Sequence, residues 1–313
     1  MESKNVIKKI SSEDLDKKLR NDTDFTLIDT LTNDHFNRVH IVKSKNACVF
    51  EVTFPDQVNN LIPEKNKTII LYGFSEKTMD AVTAAEKLLR AGYQDIYVLD
   101  GGLTQWQKNG YALEGDDPGI ISRYESPWIL DDCNYIVDVK ESVIEWTGRN
   151  PNKKHHGTIG LTSGEISVKK GRVSGKFEID IKSIRNIDLE GDPLQQVLIG
   201  HLQSDDFFFV KMFPKAMLMI NSAEPVKDAT QSEPNFEVSG DLKLRGVQNN
   251  INFPANVSSE QRGTLKIESH FDIDRTRWGA IYGSARFFEK LGMHLVFDFI
   301  SIQLRILAKA KKN

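Results

Sequence analysis

Hydrophobic positions follow one pattern over the first third of this chain and another after about residue 130. Residues 25–29 (FTLID), 67–72 (KTIILY) and 95–99 (DIYVL) are short apolar runs of strand length. Between the last two, residues 77–91 place Val82, Ala85, Leu88 and Leu89 at helical spacing, with Gly92 as the C-cap. Strand, helix and strand at this spacing form a βαβ unit and predict a mainly parallel sheet. The stretch 115–120 (GDDPGI) gathers acidic residues, Gly and Pro, and reads as a linker.

Beyond it the period becomes two. Residues 134–146, 158–168, 172–181, 216–220, 236–244, 247–257, 263–273 and 294–307 alternate apolar with polar. Gly164, Gly171, Gly246, the Asn249–Asn250 pair and Gly263 lie at or between these runs. Evenly spaced strands with turn signals predict a sandwich or a closed barrel. Residues 194–202 form the one clear helical insertion. Alternate positions of a strand share a face. The sets Phe177/Ile179/Ile181, Leu242/Leu244, Ile251/Phe253, Phe271/Ile273 and Leu295/Phe297/Phe299 are therefore expected to point inward.

Composition narrows the choice of function. The chain has 313 residues, suited to two domains, with 27 % charged and 39 % hydrophobic residues. A net charge of -3 gives no expectation of nucleic-acid binding. The first residues carry no apolar segment of the secretory type, and no run approaches ~18 apolar residues. The expectation is a cytoplasmic protein without a membrane span. Two cysteines, Cys48 and Cys133, cannot build a disulfide framework or a thiolate zinc site.

The first 115 residues or so resemble a rhodanese (sulfurtransferase) domain. Leu27-Ile28-Asp29, His40-Ile41 with Asn46-Ala47, Gly92-Tyr93, and Leu99-Asp100-Gly101-Gly102-Leu103 with Trp106 match that family in order. The resemblance implies that the loop after residues 69–72 is the active loop, where the family carries a persulfide-forming Cys. Here that loop reads Gly73-Phe74-Ser75-Glu76-Lys77-Thr78, with Gly73 at the Cys position, Glu76 at a Gly position and Thr78 at the Arg position. A thiolate nucleophile and its fixed cation are missing. The expectation is a domain without catalysis, serving as a docking or regulatory module. Cys48 reads as a small buried hydrophobe or, alternatively, as a relocated nucleophile. The loop could also bind a small anion through its N–H groups at a helix N-terminus, with Ser75 and Lys77 helping and Glu76 opposing. His40 is expected to hydrogen-bond within its turn, and His35 has no partners for a triad.

The second half resembles the YceI-like family of lipid-binding barrels. Tyr135-Ile136-Val137-Asp138, Trp146-Thr147-Gly148, Phe177 with the following residues to Ser183, and Val238-Ser239-Gly240-Asp241-Leu242 match it. So do Gly200-His201-Leu202-Gln203-Ser204-Asp205-Asp206-Phe207-Phe208 and Phe271 to Arg275 with Trp278-Gly279. The resemblance implies a lipocalin-like antiparallel barrel holding a long apolar amphiphile, such as a polyisoprenoid, quinone or fatty-acyl lipid, and possible homodimers. Each buried CH₂ contributes about 0.8 kcal/mol, so such binding needs no metal or nucleophile. The inward sets above become the expected ligand contacts. His201, Leu202, Phe207 and Phe208 become a helical lid, with Asp205 and Asp206 in water. Arg275 and Arg277 read as partners for a polar head group or as a solvated strand end. His155 and His156 point to opposite faces of a strand, so a metal with His201 is disfavoured.

The expected architecture is thus a rhodanese-like parallel-sheet α/β domain over residues 1–118, a linker over 119–132, and a lipocalin-like β-barrel with a helical lid over 133–313. The expected activity is non-catalytic carriage of a lipid, with no cofactor. The alternatives are sulfur transfer through Cys48, a packed barrel with a purely structural role, and an anion-sensing loop that alters lipid affinity.

Overall fold

The computed structural model describes residues 7–21, 24–119, 130–170, 172–230, 232–259 and 263–311. The chain divides into two units, residues 1–123 and 124–313. Most of the expected linker, residues 120–129, lies outside the described residues.

The first unit contains β1 (Lys8–Ile10), α1 (Ser12–Arg20), β2 (Thr26–Asp29), α2 (Asn33–Arg38), β3 (His40–Ile41), β4 (Lys45–Asn46), α3 (Phe54–Leu61), β5 (Thr68–Tyr72), α4 (Asp80–Arg90), β6 (Asp95–Leu99), α5 (Gly102–Lys108) and β7 (Leu113–Glu114). Five strands form a parallel sheet in the order β1-β6-β5-β2-β4. The βαβ expectation therefore holds. The central strand β5 shows why the apolar runs are continuous. Ile69 and Leu71 join a core with α3 and α4, and Ile70 and Tyr72 join a core with α1 and α5. A strand covered on both faces has no polar side to show. Helix α4 begins at Asp80 and not at Lys77. Ser75 and Thr78 hold the preceding residues in a turn, with Thr78 N–H donating to Ser75 O at 3.2 Å. Trp106 is buried, and its indole N–H donates to Ala112 O at 3.0 Å.

The second unit contains β8 (Asn134–Val137), β9 (Val143–Arg149), β10 (Lys154–Lys169), β11 (Arg172–Asn186), α6 (Leu194–Gln203), β12 (Lys215–Pro225), β13 (Phe236–Leu244), β14 (Val247–Ser258), β15 (Thr264–Asp274) and β16 (Phe299–Ala310). Every ladder is antiparallel, and β16 returns to pair with both β8 and β9, which closes the barrel. Strands β8 and β9 fill one position in two pieces, so the described residues make eight staves. The single alternating run expected over 134–146 breaks because Asp138 turns the chain. Its carboxylate accepts the N–H groups of Lys140 and Glu141 at 3.3 Å each.

Two further departures bear on the cavity. Strand β16 starts at Phe299, not at His294, and residues 292–294 form a 3-10 turn. In addition, the β14–β15 ladder has only three pairs, from Asn256↔Glu268 to Ser258↔Lys266. Above them the strands separate, and the rings of Phe253 and Phe271 stack across the seam at 4.3 Å and 13°. Ser269 Oγ donates to Pro254 O, which gives that carbonyl a partner outside the ladder.

Candidate functional site

In the first unit the loop after β5 is closed by its own chain. Gly73 precedes Phe74, whose N–H donates to Asp80 Oδ2 at 2.7 Å. Thr78 Oγ1 lies 3.0 Å from the same oxygen, and Ser75 N–H donates to Thr78 Oγ1 at 3.1 Å. The N-terminus of α5 holds the other side, with Leu103 and Thr104 N–H groups donating to the carbonyls of Gly73 and Phe74 at 2.9 and 3.0 Å. A carboxylate thus already takes N–H and hydroxyl donors of this loop, which leaves less for an external anion. Glu76 and Lys77 are exposed beside it. Cys48 is buried, at 6 % exposure, and its N–H donates to Gln57 Oε1 at 3.2 Å. His40 Nδ1 lies 2.7 Å from Phe36 O, and its ring stacks on Phe36 at 3.9 Å.

Asp29 stands at the end of β2, fully buried. Burial pushes its pKa up to about 7, against the opposing hydrogen bond from Leu31 N–H at 2.7 Å.

The second unit encloses a cavity of about 360 Å³, with a smaller chamber of about 80 Å³ deeper in the barrel. Ile144, Ile179, Leu218 and Leu304 line both and form the neck between them. The deeper chamber is walled by aliphatic and aromatic side chains, with Ser174 the one hydroxyl among its lining residues. Trp146 faces the larger cavity with its indole N–H bonded to Arg185 O at 3.2 Å, so it presents an apolar ring.

The lid segment lies over the larger cavity. His201, Leu202, Phe207 and Phe208 all line it. The His201 ring meets Phe207 at 4.9 Å and Tyr282 at 4.6 Å, both edge to face, and His201 Nε2 lies 3.0 Å from Asp206 Oδ2. Asp205 and Asp206 are exposed. Tyr282 Oη lies 3.3 Å from His294 Nδ1, which adds a second imidazole to the polar mouth.

Arg275 lines the cavity at 1 % exposure. Its guanidinium donates to the carbonyls of Ala280, Val296 and Phe297. It sits 5.5 Å from the Phe207 ring and 3.8 Å from Asp298. Burial lowers its pKa, and the carboxylates of Asp298 and Asp274 oppose that shift. A buried cation of this kind binds the 280–297 segment to the barrel wall. Arg277, by contrast, is exposed, donates to Asn250 O at 2.7 Å and lies over the Trp278 ring at 5.2 Å.

A family model for the YceI-like domain matches residues 135–308, more than half of the chain. The chain belongs to the YceI-like family. A second model, for the rhodanese-like domain, matches residues 11–109. Among solved structures, BcnA of Burkholderia cenocepacia is 18 % identical, with 55 % of this chain and 99 % of that one covered and a TM-score of 0.44. A polyisoprenoid binding domain from Saccharophagus degradans is 18 % identical, covering 56 % and 98 %, with a TM-score of 0.41. The rhodanese-like domain of the Alr3790 protein from Anabaena is 23 % identical, covering 38 % and 96 %, with a TM-score of 0.30. No curated protein matches the chain.

Within the YceI-like barrel the residues named from sequence separate by position. Ile179, Ile181, Leu242, Leu244, Phe271 and Ile273 line the larger cavity, and Phe177 and Phe253 line the deeper chamber. The last strand differs from expectation. Phe299 is exposed, Leu295 lines neither chamber, and Phe297 reaches the cavity from an irregular segment. Ile300, Ile302 and Leu304 are the inward set, because the strand begins only after Arg275 has drawn the Val296 and Phe297 carbonyls away. Strand β11 also changes parity, from Ile181 to Ile184, at a bulge where Ser183 Oγ accepts Gly160 N–H at 2.7 Å. Tyr282 and Met293 line the mouth without any periodic signal to reveal them, and His294 lines it from the opposite face of the strand that the alternation predicts. Among the described residues no group of His, Cys, Asp or Glu could hold a metal, and no helix is long and apolar enough to cross a membrane.

Proposed function

We propose that the YceI-like barrel binds one long apolar amphiphile, of isoprenoid, quinone or acyl type, tail-first through the mouth at His201 and Tyr282. The observation that carries this reading is the apolar cavity of about 360 Å³, continued past a neck into a second chamber. A barrel packed solid by its own side chains would have neither. Charged, imidazole and phenol groups, His155, His201, Arg275, Tyr282 and His294 among them, line the larger cavity and none lines the deeper chamber, which suits a head group in the first and a tail in the second.

In the same reading the rhodanese-like domain is a docking or regulatory module without sulfur transfer. Its support is Gly73 at the nucleophile position and the Asp80 carboxylate bonded to the loop. Burial of Cys48 argues against a relocated nucleophile. Two free cysteines suit a reducing compartment, and the cytoplasm is the setting this reading assumes. A homodimer through the barrel belongs to the same reading and is checked by light scattering.

The test is a titration of the full chain with a fluorescent fatty acid, followed by competition with a short-chain quinone. Saturable, competable binding in a one-to-one ratio is expected. A linear, non-saturating signal would overturn the reading. A thiosulfate:cyanide assay on the wild type should show no turnover, and turnover abolished by Cys48→Ser would overturn the second part.

A further inference from the structure

Among the described residues, exposed apolar side chains ring the mouth of the cavity. Helix α6 has no Asp, Glu, Lys or Arg along its ten residues, and Leu202 is the residue it buries. Leu194 and Val197 on it are 57 % and 66 % exposed. Met212, after the lid, and Phe287, Phe288 and Met293, between Tyr282 and β16, are also exposed, Met293 to 84 %. The polar residues of α6 are Gln195, Gln196, His201 and Gln203, so it lacks the acidic and basic side chains that surface helices ordinarily turn outward, and exposes Leu194 and Val197 instead.

This ring is continuous with the cavity wall. Leu198 of α6 lines the cavity one residue from exposed Val197, and Met293 is both a lining residue and an exposed one. Whatever covers the ring therefore also stops the mouth. The charges on the mouth segments complete the pattern. The carboxylates of Asp206, Asp274 and Asp298 are engaged by His201, Arg286 and Arg275, whereas Asp205 and Glu289 are exposed with no ion-pair partner among the described residues. Lys211, next to Met212, and Lys290, separated from the Phe287–Phe288 pair by Glu289, are exposed and have no ion-pair partner among the described residues. Exposed aromatic and aliphatic side chains bordered by exposed charges of both signs, Lys211 and Lys290 with Asp205 and Glu289, match the layering of a phospholipid surface, where acyl chains lie under head groups that carry both signs.

We infer that α6 and the 287–293 segment dock the barrel mouth on a phospholipid bilayer surface. Lys211 and Lys290 meet lipid phosphates, and the lipid passes between bilayer and cavity without crossing water. The inference rests on the proposed lipid binding.

The experiment uses the full chain and vesicles of phosphatidylcholine with a minor fraction of phosphatidylglycerol. Co-flotation of the wild type is expected. Leu194→Glu with Val197→Glu, at positions that do not line the cavity, should lower the bound fraction at least about tenfold. Lys211→Glu with Lys290→Glu should weaken binding mainly at low salt. All variants should keep the wild-type affinity for the fluorescent fatty acid in vesicle-free buffer. That readout also shows that each variant is folded. Failure of the wild type to float, or flotation unchanged in the α6 variant, overturns the docking surface while leaving lipid binding intact. Flotation sensitive to these substitutions in a protein that binds no fatty acid supports the surface and overturns the reading of the cavity.

Discussion

The Asp80 carboxylate fills the space that a side chain at position 73 would need. A Cβ built on Gly73 would lie 2.5 Å from Asp80 Oδ2 and 3.0 Å from its Cβ. The same oxygen accepts the Phe74 N–H at 2.7 Å. A side chain at position 73 and the present closure of the loop by Asp80 therefore exclude one another unless Asp80 moves. Gly73→Ala is expected to destabilise the rhodanese-like domain by about 1–3 kcal/mol through overpacking. Its cost should shrink in an Asp80→Ala background, although Asp80→Ala alone leaves Phe74 N–H without a partner and costs on the order of 1–3 kcal/mol. A double-mutant cycle by chemical denaturation measures the coupling, and strictly additive effects would refute the steric account.

Asp29 supplies a pH dependence. Burial raises its folded pKa to about 7, above the ordinary carboxylate value of 3.8. Between those values the folded state holds a proton that the unfolded state has released. Stability of the domain is therefore greatest below about pH 4 as far as this group is concerned, and falls as pH rises through 7. The full window is worth on the order of 4 kcal/mol. Asp29→Asn should flatten that part of the profile, as read by thermal melts across the range. A variant with the wild-type slope would show that another group titrates.

In the proposed lipid binding, the residues that line both chambers limit how deep a tail can go. Leu218→Phe adds volume where Ile144, Ile179 and Leu304 meet it. The barrel should still fold, at a cost of about 1–3 kcal/mol. Its affinity for long chains should fall towards that for short ones, as measured by titration with fatty acids of increasing length. Equal loss at every length would place the tail elsewhere.

His201 joins Phe207, Tyr282 and Asp206 at the mouth. His201→Ala removes those contacts and should speed release of a bound fluorescent lipid about tenfold or more, with a smaller change in association. Stopped-flow displacement reads both rates, and an unchanged release rate would mean that the lid does not hold the guest.

Much of this was legible in the sequence, for identifiable reasons. The run at Ile69, Ile70, Leu71 and Tyr72 reads as a strand of a βαβ unit and is one, with helices on both faces in the fold, and the alternation over 236–244 matches β13 residue for residue. The signals failed where long-range contacts decide the backbone. Residues 294–298 alternate like a strand, yet the buried Arg275 guanidinium takes the carbonyls of Val296 and Phe297. No local pattern reports a partner twenty residues away, so the inward set of β16 shifts by one. Tyr282 and Met293 carry no signal, since an irregular segment has no period, and His294 falls on the opposite face of the strand that the alternation predicts. Helix α1 carries a local signal in the sequence, Ser11 as the N-cap accepting Asp14 N–H at 3.1 Å. In the rhodanese-like loop the sequence showed Gly73, but only the fold brings Asp80 onto it.

The claim that the barrel carries a lipid is tested most directly by native mass spectrometry of the freshly purified chain, followed by denaturation to release and weigh any guest. The account predicts a single released species, apolar and of isoprenoid, quinone or acyl mass, or uptake of one equivalent on incubation with such lipids. A chain that is empty as purified and stays empty after incubation with quinones, polyprenols and fatty acids would contradict it.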